Sequence, residues 1–354
     1  IFAPQTRCTQ KSNFLNRRMI DLTKPAIGVI GSGSWATAMI KMLEDNKTDK
    51  SVYWWVRNRD TADYIRTYKH NPNYLSAVTV KVPKRHISSD PRTVIAHADI
   101  VMLNTPAAFL KDALKGVTPE MLQGKIIVSA IKGIIPDENQ IVGDFLQERY
   151  QIPIDRIAVI GGPCHAEEVS LEKLSYLTVA CQDTDAAARV ASLIGTRYIK
   201  TNVSDDIYGT EYAAVLKNIY AVAGGMCHGV GFGDNFQAVL VSNAIREMAH
   251  FVNTVHPIER DIKESAYLGD LLVTAYSQFS RNRTFGNMVG KGYSVKSAQL
   301  EMNMVAEGYY ASRGIQQICL KHAIDLPICT AVYNVLYNQQ SPAAEMKLLA
   351  EKLT

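Results

Sequence analysis

At 354 residues the chain is too long for one small core and should divide into about two domains. Hydrophobic residues make up 47% and charged residues 20%, ordinary values for a folded protein; no apolar run approaches the ~20 residues of a membrane helix, so no membrane insertion is expected. A net charge of +4, spread along the chain without a basic block or aromatic–basic alternation, gives no argument for a nucleic-acid partner.

Residues 1–24 form a tail unlike the rest, with Arg7, Lys11, Arg17, Arg18 and Lys24 against a single acid, Asp21. A targeting segment has this balance, but the continuous apolar core of a secretory signal is missing, and Met19 could equally be a start. The tail is left unassigned. From Ala26 the pattern reads strand (26–30), glycine turn (Gly31-Ser-Gly-Ser-Trp-Ala36), helix to about Glu44 and strand (52–56), which is one βαβ unit. Further strands are expected at 100–104, 126–130, 157–160, 176–180 and 197–200, with helices at 109–114, 140–147 and 186–194. This alternation predicts an α/β, Rossmann-like, doubly wound and mostly parallel sheet over residues 25–203. After about Val203 strand signals nearly vanish. Helical stretches at 211–226, 236–254, 265–276, 297–304, 309–322 and 331–337 predict a second, all-α domain over 204–354.

Gly31-x-Gly33-x-x-Ala36 has the form of a dinucleotide fingerprint. Gly31 permits a tight turn, Gly33 lets backbone approach a pyrophosphate, and Ala36 allows close helix–sheet packing. The helix behind it offers unpaired N–H groups to phosphates. A tight turn with no ligand is the alternative, and the strand–turn–helix context favours the dinucleotide. The second strand ends Val56-Arg57-Asn58-Arg59-Asp60, where NAD-specific sites carry an acid. Arg57 there would favour a 2′-phosphate, or would be a solvated loop residue, so NAD and NADP both stay open.

Lys217 is the only formally charged side chain from Tyr212 to Cys227, on a helix that is apolar all round. Its helix-face neighbours Ala213, Ala214, Tyr220 and Ala221 include no carboxylate. A buried lysine is costly unless paired or used, and burial moves it toward the general acid/base range. The alternative is a lysine snorkelling to the surface. Ser280-Arg-Asn-Arg283 supplies donors suited to a phosphate, or forms a solvated turn. Asp270, inside an apolar helix, could hold a lysine or cap the helix. Lys132-Gly133 follows a strand at the edge where open α/β sheets bind ligands. None of the six cysteines forms a C-x-x-C pair, so no metal site is expected, and reduced thiols in a cytosolic compartment are.

These motifs, in this order, resemble the bacterial type of NAD(P)-dependent glycerol-3-phosphate dehydrogenase from about Ala26 to His322. Gly31-Ser-Gly-Ser-Trp-Ala-Thr-Ala38 resembles the family's G-x-G-S-W-G-T-A, and Lys132-Gly133 its K-G. Gly162-Pro163 with Ala166 fits its S-G-P-S-F-A-x-E element. Leu216-Lys-Asn218, Gly229-x-Gly-Phe-Gly-x-Asn235, Leu268-Gly-Asp270, Ser280-Arg-Asn282 and Val305-Ala-Glu-Gly308 complete the set.

The resemblance implies interconversion of dihydroxyacetone phosphate and sn-glycerol 3-phosphate by hydride transfer with NAD or NADP, in the cytoplasm, feeding glycerophospholipid synthesis. It implies a helical domain like the C-terminal domain of 6-phosphogluconate dehydrogenase. It makes Lys217 the catalytic proton carrier. Lys132, Gly162, Cys164, Lys217, Asn218, Asp270, Ser280, Arg281 and Asn282 would bind the small phosphorylated substrate. Gly31, Gly33, Ser34, Trp35, Ala36, Arg57, Lys132, Ala166, Arg281, Val305 and Glu307 would bind the cofactor. The sequence departs from the family at Ala36, a tolerated change, and at Cys164-His165, where the family has Ser or Thr followed by Phe. Cys164 thus loses a hydroxyl that would touch substrate. Apolar stripes on the helical domain suggest a homodimer. A sister dehydrogenase for a sugar acid or hydroxyacyl substrate is opposed by Ser280-Arg-Asn282, and a nucleotide sensor without turnover by Lys217 with Asp270.

Overall fold

Strands with no polar alternation are stable only when both faces are covered. In the computed structural model, which describes residues 24–302 and 306–354, the central strands meet that condition. The residue predicted at Val305 and the tail 1–23 lie outside the described residues. Ten strands are present among them: β1 (Ala26–Ile30), β2 (Ser51–Trp55), β3 (Ile87–Ser88), β4 (Ile100–Leu103), β5 (Ile126–Ser129), β6 (Ile134–Ile135), β7 (Gln140–Ile141), β8 (Ile157–Gly161), β9 (Ser175–Cys181) and β10 (Ile199–Ser204).

Eight of them form one sheet in the order β10-β9-β8-β5-β4-β1-β2-β3. All neighbours run parallel except β8 and β9. Strands β4, β5 and β8 are buried throughout, as their predominantly apolar runs require. Apolar cores cover the sheet on both faces, one around Met39, Trp54 and Val179, the other around Leu103, Leu110 and Leu146.

The expected strands and helices of this half are present, with shifted ends. The helix expected from Gln140 starts at Val142, because Gln140–Ile141 pairs with Ile134–Ile135 as a small hairpin whose turn holds Asp137 and Asn139 at positive φ. The last strand starts at Ile199 rather than Arg197. The Thr196 hydroxyl accepts hydrogen bonds from the Tyr198 and Ile199 N–H groups and keeps the chain turning until there.

Beyond Ser204 the described chain is helical. Helix Ile207–Gly229 is buried from Gly209 to Cys227 and forms the axis around which the other helices pack. The stretch 265–276 is not one α-helix: Ser265–Gly269 is a π-turn, and the α-helix runs Asp270–Tyr276. The polar cluster at Ser280 is not a solvated turn but the start of helix Arg281–Gly290. That helix lies directly on the Lys217 helix, since a Cβ at Gly225 or Gly286 would run into the backbone of the facing helix. Glycines lower helix propensity in sequence, and here they are what permits the close approach. Among the described residues no helix is long and apolar enough to cross a membrane.

Candidate active site

The turns after β1, β4, β5 and β8 line one side of a cleft of about 700 Å³, and the helical half lines the other. That is the edge at which open α/β sheets take ligands. Most of the predicted site residues meet there. The exceptions are Gly162, Ala36 and Val305. Gly162 lies just behind the cleft and contributes its carbonyl, Ala36 is buried in the sheet core, and Val305 lies outside the described residues.

The glycine turn behaves as its residue types dictate. Gly31 has φ +139°, and a Cβ there would lie 2.6 Å from the Asn104 carbonyl oxygen. A Cβ on Gly33 would meet nothing within 4 Å, so this residue faces open space in the cleft. Helix Ser34–Asp45 begins there without a side-chain cap. A helix start of this kind, with no side chain capping it, suits an anion. Trp35 lines the cleft with a buried indole N–H that has no hydrogen-bond partner among the described residues. These features fit the pyrophosphate of a dinucleotide. Two supports were not visible in the sequence. The Trp54 indole donates to the Gly31 carbonyl at 2.6 Å, and the Asn71 amide donates to the Thr37 hydroxyl at 2.9 Å and the Ser32 carbonyl at 3.1 Å.

At the end of β2, Arg57 is exposed and lies over the Phe109 ring, 5.9 Å from its centroid. Across the cleft Glu307 opens helix Glu307–His322. One carboxylate oxygen accepts the Ala107 N–H at 2.9 Å, while the other is buried beside Gly133 without a hydrogen-bond partner among the described residues. Burial pushes the Glu307 carboxyl up to about 7.

The Lys217 ammonium is buried, 5% exposed, and does not snorkel. It donates to Asp270 Oδ1 at 2.5 Å and to Thr274 Oγ1 at 2.9 Å. The Lys132 ammonium donates to the other oxygen, Asp270 Oδ2, at 2.9 Å, and to the Gly162 carbonyl at 3.0 Å. Asp270 thus bridges two lysines instead of capping its helix, whose N-cap is Gly269. Burial lowers Lys217 to about 7, with the Lys132 cation acting in the same direction and Asp270 opposing. Burial works against the Asp270 carboxylate, but the two ammonium groups outweigh it and hold the carboxyl below its ordinary range. Thr274, one helical turn beyond Asp270, went unread in the sequence because a threonine in a helix carries no functional signal by itself.

An amide chain fixes the neighbours. The Asn218 amide donates to the Lys132 carbonyl at 2.7 Å, the Asn282 amide donates to Asn218 Oδ1 at 2.9 Å, and the Gly308 N–H donates to Asn282 Oδ1 at 2.9 Å. Ser280 caps the Arg281 helix, its hydroxyl accepting from the Arg283 N–H at 3.3 Å. Arg281, Cys164 and Ala166 line the same cleft. Burial raises the Cys164 thiol to about 12, so it is no nucleophile at neutral pH. Burial, reinforced by the Lys217 and Lys132 cations, depresses His165 to about 4, which keeps the imidazole neutral.

A carboxylate-held lysine of near-neutral pKa can give or take a proton. A glycine turn at a helix start can take a pyrophosphate. Together in one cleft they suit a dinucleotide-linked oxidoreduction of a small carbonyl or alcohol.

Comparison with known proteins gives the same picture across both halves. Residues 26–187 match the family model for the NAD-dependent glycerol-3-phosphate dehydrogenase N-terminus, and residues 206–347 match that for its C-terminus. The chain is 31% identical to a glycerol-3-phosphate dehydrogenase (NAD(P)+) of Lysinibacillus sphaericus over 92% of its own length and 96% of the relative's. It is 33% identical to that of Corynebacterium kroppenstedtii over 93% and 98% of the two chains. The crystal structure of glycerol-3-phosphate dehydrogenase from Coxiella burnetii superposes with a TM-score of 0.85 at 25% identity, covering 93% of this chain and 99% of that one.

Proposed function

The chain belongs to the NAD-dependent glycerol-3-phosphate dehydrogenase family, and from that premise we propose how its own residues interconvert dihydroxyacetone phosphate and sn-glycerol 3-phosphate with NAD(P)H. The observation that carries the reading is the buried Lys217–Asp270–Lys132 cluster facing the cleft. The nicotinamide cofactor, when bound, supplies or accepts the hydride at substrate C2. Gly31, Gly33, Ser34 and Trp35 would hold its pyrophosphate end, Ala36 packs beneath them, and Arg57 and Glu307 would hold other parts of it, with Ala166 lining the same cleft; for Val305 the cofactor role rests on the family resemblance alone.

Lys217 gives a proton to the C2 oxygen during ketone reduction and takes it back during alcohol oxidation. Asp270 orients Lys217 and keeps it cationic often enough to act as an acid. Lys132, held by Asp270 and the Gly162 carbonyl, stabilises negative charge developing on that oxygen. Arg281, with Ser280 and Asn282 at the same helix start, holds the substrate phosphate, while Asn218 and Cys164 line the wall beside Lys132. Fixing the phosphate orients C2 toward Lys217, which lowers the entropy cost of the step.

The same proposal takes residues 25–203 as the cofactor domain and 204–354 as the catalytic domain, a division supported by the change from sheet to helix between Ser204 and Ile207. It also includes a homodimer, supported by Leu300, Leu320 and Leu348 exposed on the helical half, and testable by sedimentation. A cytoplasmic location and supply of glycerol 3-phosphate to glycerophospholipid synthesis rest on the family alone.

The test is oxidation of NADH, and separately of NADPH, with dihydroxyacetone phosphate and with unphosphorylated dihydroxyacetone. Turnover confined to the phosphorylated ketone is expected. A protein that binds a dinucleotide but turns over neither ketone would sink the substrate assignment.

A further inference from the structure

Asp206, which does not line the cleft, ties together the two elements that carry the proton-transfer pair. It is the N-cap of the Lys217 helix, its Oδ1 accepting the Gly209 N–H at 2.9 Å. Its Oδ2 accepts the Tyr267 hydroxyl at 2.6 Å. Tyr267 belongs to the π-turn Ser265–Gly269, which leads directly into Asp270. Arg260 closes the network, donating to Asp206 from Nε at 2.8 Å and from a terminal nitrogen at 3.2 Å. The same guanidinium donates to the His256 carbonyl at 3.0 Å. Asp206, Tyr267 and the Arg260 side chain are all buried, each no more than 5% exposed.

One buried carboxylate therefore anchors both the start of the Lys217 helix and the turn that presents Asp270. Charge-assisted hydrogen bonds of this kind are short and directional. A π-turn is a rare conformation that concentrates at functional sites, and one without outside support is free to relax to an α-turn. Such a relaxation shifts the register of every residue after it, beginning with Asp270.

We propose that Asp206, Tyr267 and Arg260 form a positioning network that holds the π-turn in register and thereby sets the Lys217–Asp270 contact. The network touches neither substrate nor cofactor; it acts through Asp270. The proposal rests on the reading of Lys217 as the proton carrier. The groups that face Lys217 are Asp270 and Thr274 from the helix after the π-turn, and Lys132 and His165 from the loops after β5 and β8. If Asp270 draws back, the cation loses its counter-charge while Lys132 remains, so Lys217 gives up its proton at lower pH.

The test compares the full-length protein with Tyr267→Phe and Asp206→Asn. Three properties are measured: kcat in both directions against pH, the Kd for NADH, and the pH dependence of Lys217 labelling by an amine reagent, read by mass spectrometry. In Tyr267→Phe we expect ketone reduction to fall by about ten- to a hundredfold, the scale of an ångström misplacement. The limb at which reduction is lost and the onset of Lys217 labelling should both move to lower pH, with the Kd for NADH unchanged. Asp206→Asn keeps the shape and should move both in the same direction, so either variant that folds decides the matter. A variant with a lowered melting temperature but wild-type kcat, pH limb and labelling would overturn the proposal and leave the network a purely structural one. Absence of turnover in the wild type would instead overturn the functional reading, and the labelling would still report on positioning.

Discussion

Lys217 and Asp270 stand 53 residues apart in the chain, and their charged atoms lie 2.5 Å apart in the structure. Neither is stable alone in that setting. Lys217 is 5% and Asp270 1% exposed, and a single buried charge of either sign carries a large desolvation cost. Each makes the other tolerable, and Lys132 on the second carboxylate oxygen leaves the cluster with one cation in excess. That excess suits a cleft that must accept an anionic substrate.

Lys217→Ala removes the proton carrier without touching the glycine turn. Turnover should fall by about 10²–10⁴-fold, the usual contribution of a positioned acid or base. NADH binding, followed by fluorescence titration, should stay near the wild-type value. Loss of cofactor binding together with turnover would make Lys217 a structural residue.

The near-neutral Lys217 gives the two reaction directions opposite pH profiles. Reduction needs the protonated amine, so its kcat is full below about pH 7 and declines above it; oxidation needs the neutral amine and rises through the same point. Rates measured in both directions across neutrality check the crossing. Parallel profiles would remove Lys217 from the proton path.

The two fingerprint glycines should separate folding from binding. Gly31→Ala forces a side chain into positive φ against the Asn104 carbonyl and should cost about 1–3 kcal/mol of stability, seen as a lower melting temperature. Gly33→Ala has room for its methyl group and should melt as the wild type does. The methyl group would, however, stand where the pyrophosphate approaches, raising the dinucleotide Kd about tenfold, the equivalent of about 1.4 kcal/mol.

Arg57→Glu tests the cofactor choice. An acid at the end of β2 repels a 2′-phosphate and can accept from a ribose hydroxyl. Activity with NADPH should fall by about tenfold or more relative to NADH, or about 1.4 kcal/mol of discrimination. An unchanged ratio would make Arg57 a bystander stacked on Phe109.

Glu247 links pH to stability in the helical half. Burial pushes its carboxyl from 4.5 up to about 8, while one oxygen accepts the Ile328 N–H at 2.6 Å. A carboxyl raised on folding holds its proton better in the folded state. Its contribution to stability is therefore fully present below about pH 4.5 and is lost as pH rises through about 8. Glu211, raised by burial to about 8, acts with the same sign. Melting temperature should thus decline from mildly acid to mildly alkaline pH, and Glu247→Gln should lessen the decline. An identical decline in that variant would assign the effect elsewhere.

The sequence by itself determined the features that depend on local pattern: the apolar runs that had to be covered strands, the glycine turn with its helix, and a helical stretch from Tyr212 to Cys227 with Lys217 as its one charge, either buried and used or snorkelling. Tertiary structure decided what depends on distant chain segments meeting. It chose Asp270 as the Lys217 partner, a pairing no spacing along the helix could reveal, since Asp270 arrives on another element. It laid Arg281–Gly290 as a helix directly on the Lys217 helix, with Gly225 and Gly286 each against the backbone of the facing helix, despite the low helix propensity of glycine. It broke 265–276 into a π-turn and an α-helix, and it brought Tyr267 of that turn onto a carboxylate some sixty residues earlier in the chain. Periodicity reports which face of a segment avoids water. Which buried groups then find one another is settled only when the segments pack, because a charge out of water must be met by whatever side chain the fold brings within reach.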